Sequence, residues 1–269
     1  MKIINNFWKY TFTLIFIFLV GFLYFQMKTG EDSLFDNATT INPSEEEDLV
    51  IEVEPPRHPV PEIISDVNER PDLIALPPLN ESDEYLHLAL SGFINEEISN
   101  LIVKTRLIEK IVATIDNLPR EYMNERMRPI GLFVNPFEVE SQENLNGFIL
   151  STKNYARYEV LANGLSMIDM NLLVGTYLRF YPLFQEAYED LGYPRSYFND
   201  RVIEVIDHLL DTPEVNDPII VHRPYAYLYE FAHPDIEALS SGQKLLLRLG
   251  AKNLSRAKQF LKEFRALIS

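Results

Sequence analysis

The sequence predicts a mainly α-helical domain with a small antiparallel β element, preceded by one transmembrane helix and a disordered linker. Three features point there: an uncharged apolar run over residues 10–27, an acidic proline-rich stretch over 29–80, and helical periodicity through most of 81–269. With 46% hydrophobic residues in 269, the chain can build one sizeable core plus appendages.

The first 28 residues read as a short tail and a membrane anchor. Tyr10 to Met27 carries no charge, and its 18 residues reach about 27 Å as a helix, close to the hydrocarbon thickness of a bilayer. A cleavable signal would need small residues ahead of a cleavage site, and "YFQMKTGEDS" has none of that kind. Lys2 and Lys9 precede the run while Glu31 and Asp32 follow it, so the positive-inside bias puts the tail in the cytoplasm. The expected location is therefore a bacterial inner membrane crossed once, with the C-terminal part in the periplasm.

Residues 29–80 form the linker. From Lys28 to Asn80 there are 13 acids against Lys28, Arg57 and Arg70, and prolines recur in "VEPPRHPVPEI" and "RPDLIALPP". Such a segment buries too little apolar surface to offset its ordering entropy, and proline with like charge keeps it extended. Much of the net charge of −16 lies here. That charge excludes nucleic acid as a partner, because phosphate-backbone affinity needs clustered Lys and Arg. The absence of cysteine removes disulfides and thiolate chemistry.

The domain at 81–269 opens at Ser82, a good N-cap with Asp83 and Glu84 behind it. Leu107, Ile108, Ile111, Val112 and Ile115 recur at helical spacing until "DNLPR" breaks the run. Between Ile130 and Leu150, turn signals at Asn135-Pro136 and Asn146-Gly147 predict a small hairpin. Helix resumes at Asn154, and one apolar stripe from Leu165 to Leu191, including Tyr177, Phe180, Phe184 and Tyr188, runs through Pro182. Further helices are predicted near 198–210, 235–249 and 253–267, with "HRPYAYLYEF" as a strand between the first two.

"DNLPR", "NYARY", "YPLFQEAYEDLGYP", "DHLL" and "EALSSGQKLLLRLG", in this order between Ser82 and Ser269, resemble an uncharacterised bacterial membrane-anchored family, the domain of unknown function DUF3014. The resemblance implies a bacterial envelope protein with an N-terminal anchor and a variable linker. It implies no activity and no catalytic residues.

Chemistry has to be sought in the residues themselves. Ser241-Gly242-Gln243-Lys244 has the S-x-x-K spacing of penicillin-binding proteins, but Lys28-Thr29-Gly30 lies beside the apolar run and S-D-N is missing. Asp207 and His208 point about 100° apart on a helix, and Arg201, Glu204, His208 and Asp211 read as a solvated face. Zinc-ligand spacings, Walker loops and G-x-G-x-x-G are absent, so neither a metal site nor a cofactor is expected. No catalytic residue is assigned.

Arginines set among aromatics are the stronger candidates, because a guanidinium that stacks on a ring and forks toward a carboxylate either holds the core together, the favoured reading, or receives an anionic or sugar ligand. They are Arg120 and Arg157 beside Tyr158, with Tyr225, Tyr227 and Tyr229 as stacking surfaces; Arg248 joins the candidates as a partner for Asp169 rather than by this pattern. Arg179 and Arg223 share the pattern, and Asp116, Asp169 and Glu186 are the expected internal partners. Asp169 lies within the apolar stripe, so it is expected to be desolvated and paired with Arg157 or Arg248. The sequence thus favours a non-enzymatic binding or scaffolding module for an envelope protein or cell-wall glycan, with membrane contact through residues 10–27. The alternative is an envelope enzyme acting on glycan through paired carboxylates.

Overall fold

The computed structural model describes residues 54–61, 75–123, 125–131, 137–141, 147–215, 218–225 and 228–269. In chain order the elements are α1 (Asp83–Ser91), α2 (Glu96–Ser99), α3 (Leu107–Asn117), β1 (Val139–Ser141), β2 (Phe148–Leu150), α4 (Lys153–Arg157), α5 (Glu159–Met167), α6 (Met170–Asp190) and α7 (Phe198–Leu210). They continue as β3 (Ile220–Tyr225), β4 (Leu228–Phe231), α8 (Pro234–Glu237), α9 (Ser241–Arg248) and α10 (Ala251–Ile268). The protein is mainly helical, with one small antiparallel sheet in the order β1-β2-β3-β4. The expected membrane span lies outside the described residues, among which no helix is long and apolar enough to cross a membrane.

The long aromatic helix α6 organises the main core. Its buried face carries Tyr177, Phe180, Phe184, Ala187 and Tyr188, and it packs on Leu107, Ile108 and Val112 of α3 and on Phe198, Val202 and Ile203 of α7. The rings of Phe184 and Phe198 stack at 5.8 Å, within the range aromatic pairs favour. Helix α6 continues through Pro182, which costs a hydrogen bond to the carbonyl four residues back. Tertiary burial on both sides of the proline outweighs that loss. The stripe is shorter than its pattern suggested: the helix starts at Met170, and Leu172 and Leu191 are exposed.

The sheet supports a second core of Leu150, Val221 and Phe231 against Val205 and Leu209 of α7, Leu246 and Leu247 of α9, and Leu254 of α10. The hairpin expected between residues 130 and 150 is β1–β2, with Val139 opposite Leu150. The stretch read as one strand is two: β3 and β4 pair antiparallel, with Tyr225 opposite Leu228. A period of two is the same before and after a reversal, so alternation alone could not reveal the turn. The helix expected over 235–249 is likewise split, because Ser240 caps α9 in a reciprocal capping box with Gln243.

Two helix starts also differ from expectation. Ser82 makes no side-chain cap; its hydroxyl donates back to the Leu79 carbonyl. Asp83 instead accepts the amides of Arg106 (2.7 Å) and Leu107 (2.8 Å), capping α3 from another helix. Packing begins ahead of Ser82, since Leu76 and Leu79 lie against the main core. Residues 54–61, within the predicted linker, lie on the start of α7.

Candidate functional site

Polar groups converge where α6 turns into α7. At the end of α3, Asp116 is only 4% exposed, and its carboxylate accepts from Arg120 Nη2 at 2.6 Å and from Arg201 Nε at 3.0 Å. Arg201 Nη2 also donates to the Asp116 backbone carbonyl at 2.8 Å, and the Tyr193 hydroxyl bridges Arg120 and Asp116. The carboxylate raises the pKa of Arg120 above its ordinary value. Tyr188 and Tyr193 stack at 4.7 Å beside this cluster. Burial pushes the Tyr188 phenol up to about 12, with Arg201 acting the other way.

In the first turn of α7, Asn199 and Asp200 hold the strap formed by residues 54–61. Asp200 accepts the amides of Arg57 (3.0 Å) and His58 (2.7 Å), one on each carboxylate oxygen. Asn199 is fully buried; its Nδ2 donates to the carbonyls of His58 (3.0 Å) and Ile268 (2.9 Å), and its Oδ1 accepts from the Tyr177 hydroxyl (2.9 Å). Between strap and helix is a cleft of about 210 Å³ lined by Arg57, Tyr188, Arg195, Tyr197, Asp200 and Arg201, among others. Glu204 also faces it and is paired with Arg201 Nη1 at 2.9 Å.

The residues singled out from the sequence scatter around this site. Arg120 belongs to the Asp116 cluster, paired with one of the three acids expected as internal partners. Arg248 lies near the sheet, its guanidinium 5.3 Å from the centroid of Phe231. Burial lowers its pKa, opposed by nearby Tyr158 and Glu237. Arg157 lies in α4 and Tyr225 in β3, whereas Tyr227 is outside the described residues. Arg179 and Arg223 lie over Phe180 and Tyr229, at 5.6 and 5.4 Å.

Asp169 is a correction. It is exposed and serves as the N-cap of α6, accepting from the amides of Asn171 (2.9 Å) and Leu172 (3.4 Å). The stripe that seemed to enclose it is broken there, and a carboxylate before a new helix is stabilised by the unpaired amides of its first turn. Glu186 is exposed too, leaving Asp116 as the buried acid of the three proposed partners. Arg201, assigned to a solvated face, turns inward, and His208 Nε2 lies 2.8 Å from Ser240 Oγ. Asp207 is held by Arg265 through two hydrogen bonds, at 2.6 and 2.9 Å.

The S-x-x-K residues have other roles. Lys244 Nζ pairs with Glu237 at 2.8 Å, and the Ser241 hydroxyl points to the carbonyls of Asn117 and Leu118. Sequence reasoning missed Asn199 and Asp200 altogether. Asn199 lies three, four and seven residues before Val202, Ile203 and Ile206, so the period of α7 placed an amide on the buried face. That was the available signal.

The pattern of a protein of unknown function, DUF3014, matches residues 107–265, more than half of the chain. The chain belongs to the DUF3014 family. No curated protein and no solved structure matches it. The matched region of this DUF3014 chain takes in α3, α6, α7 and most of α10, and with them the Asp116 cluster and the Asn199–Asp200 pair. The strap at 54–61 lies ahead of the match.

Proposed function

We propose that this DUF3014 chain is a non-enzymatic binding or scaffolding module of the bacterial cell envelope, held to the inner membrane by residues 10–27 with its domain in the periplasm. The carrying observation is how the α7 carboxylates at the cleft are used. Asp200 receives two backbone amides and Glu204 receives Arg201, so both act as acceptors in a fixed framework. A general acid needs a proton to give, and a glycosidase needs two carboxylates facing one sugar bond. Beside these two acids and Glu54, the cleft offers arginine donors and tyrosine rings, groups suited to holding a ligand by stacking and by forked hydrogen bonds.

The test is site-specific photocrosslinking of the intact protein in its own membrane, with the probe at Tyr197 on the cleft or at Lys262 on α10. A discrete adduct from Tyr197, absent from Lys262 and lost when Arg195→Glu replaces a cleft cation with an acid, is the expected result. Cosedimentation with cell-wall sacculi reports the glycan form of the ligand. No adduct and no sedimentation would sink the proposal. A reporter active only outside the cytoplasm, fused after Ser269, tests the topology, and inactivity there would reverse it.

A further inference from the structure

Resting on the binding-module reading, we infer that the Asn199–Asp200 pair is a receptor for a proline-flanked peptide segment of a partner protein, bent at its two central residues, and that residues 54–61 occupy it in cis. The strap reads Glu54-Pro-Pro-Arg-His-Pro-Val-Pro61. Proline has no N–H, so between Pro55 and Pro59 the only backbone donors belong to Arg57 and His58. Asp200 accepts both, one on each oxygen, and Asn199 reads the His58 carbonyl. The backbone pattern of the motif is thereby answered by two adjacent side chains.

The receptor is built independently of what fills it. The Asn199 amide is fixed by Tyr177 on one side and by the Ile268 carbonyl on the other, so its remaining N–H points outward in one orientation. The strap bends at Arg57 and His58, which turns both amides to the same carboxylate, and Pro56, His58, Val60 and Pro61 are half-buried while Arg57 and Pro59 are exposed, so one side of it lies on the surface. Flanking prolines restrict the free peptide beforehand, which lowers the entropy lost on binding. A carboxylate also takes two successive amides at Asp83, but those belong to the start of α3. The Arg57 and His58 amides belong to no helix. The cleft beside the clamp, with Arg195 and Tyr197, would take the partner's flanking side chains.

The experiment uses the full chain in micelles and a fluorescent peptide carrying the sequence of residues 54–61. A variant with those residues replaced by glycine and serine should bind the peptide saturably, and wild type at least tenfold more weakly, because the tethered strap competes at high local concentration. The same peptide N-methylated at both central amides should lose at least tenfold, a control that leaves the protein unchanged. Absence of saturable binding, or equal binding of the methylated peptide, overturns the inference. If the replaced variant lacks a cooperative melt, amide exchange of wild type decides: excess peptide should accelerate exchange at Arg57 and His58, and no acceleration overturns it. A wild-type dimer that dissociates on adding peptide would instead assign the clamp to a second copy's strap. Peptide failure with a persistent Tyr197 adduct removes the peptide receptor alone, whereas loss of both removes the binding-module reading as well.

Discussion

A buried carboxylate between two guanidinium groups sets the strongest residue-scale constraint. Truncating Asp116 leaves Arg201, whose side chain is 18% exposed, without its buried counter-charge and with only the exposed Glu204 as an ionic partner. Asp116→Ala should therefore lower stability by about 3–5 kcal/mol in urea unfolding, the range found when one partner of a buried pair is removed. Arg120 is half exposed, and Arg120→Ala should cost about 1 kcal/mol or less because water screens and replaces its bond. Equal losses from the two would mean that the pair does not work as the geometry indicates. The buried phenols add a pH dependence. Tyr188 is pushed up to about 12 and Tyr177 is raised as well, both chiefly by burial. An unfolded phenol ionises near about 10, so above that pH the unfolded chain has lost a proton that the folded chain keeps. Stability should be complete below about pH 10 and fall as pH rises toward about 12. Thermal melts should show this, with a shallower fall in Tyr188→Phe.

At the scale of elements, junctions decide more than interiors. Asp169 caps α6 from an exposed position, so Asp169→Ala should cost about 1 kcal/mol and Asp169→Asn almost nothing. A loss of several kcal/mol in a melting experiment would restore a buried role. Gly250 precedes α10 with φ of 81°, and an added Cβ would meet the Tyr155 ring at 2.7 Å. Gly250→Ala therefore combines backbone strain with overpacking and should destabilise by about 2–4 kcal/mol, as read from the same unfolding curves. These junctions are also where the sequence was least legible. The interiors of α3 and α7 follow directly from apolar period, whereas Asp116 was only one of three acids expected to pair with the arginines, and Arg120 meets it from beyond the end of α3. The break at Asp169 was hidden because apolar residues continue on both sides of it. The inward turn of Arg201 was hidden because its partner lies 85 residues away, beyond any local pattern. The strap was hidden for a third reason: proline-rich acidic composition describes the chain alone, whereas its contact depends on two side chains supplied by α7.

For the whole molecule, a held strap would shorten the stretch of chain available between the domain and the proposed anchor. If residues 29–80 were all extended, the reach would be about 160 Å at about 3 Å per residue. With residues 54–61 held on α7, an extended chain over 29–53 would reach about 80 Å. Trypsin can distinguish the two states because of where its sites fall. Between Lys28 and Lys104 the sequence contains only Arg57 and Arg70, and Arg70 precedes Pro71, which blocks cleavage. Cutting after Arg57 requires that backbone to leave Asp200 and enter the protease, so its rate follows the opening of the strap. Full-length protein in micelles should therefore be cut at Lys28 first and leave a fragment beginning at Thr29. Asp200→Ala should convert that product to one beginning at His58 at least tenfold faster, while cleavage at Lys28 is unchanged. If Arg57 is cut as fast in wild type as in the variant, the strap does not hold in solution, and the longer reach applies.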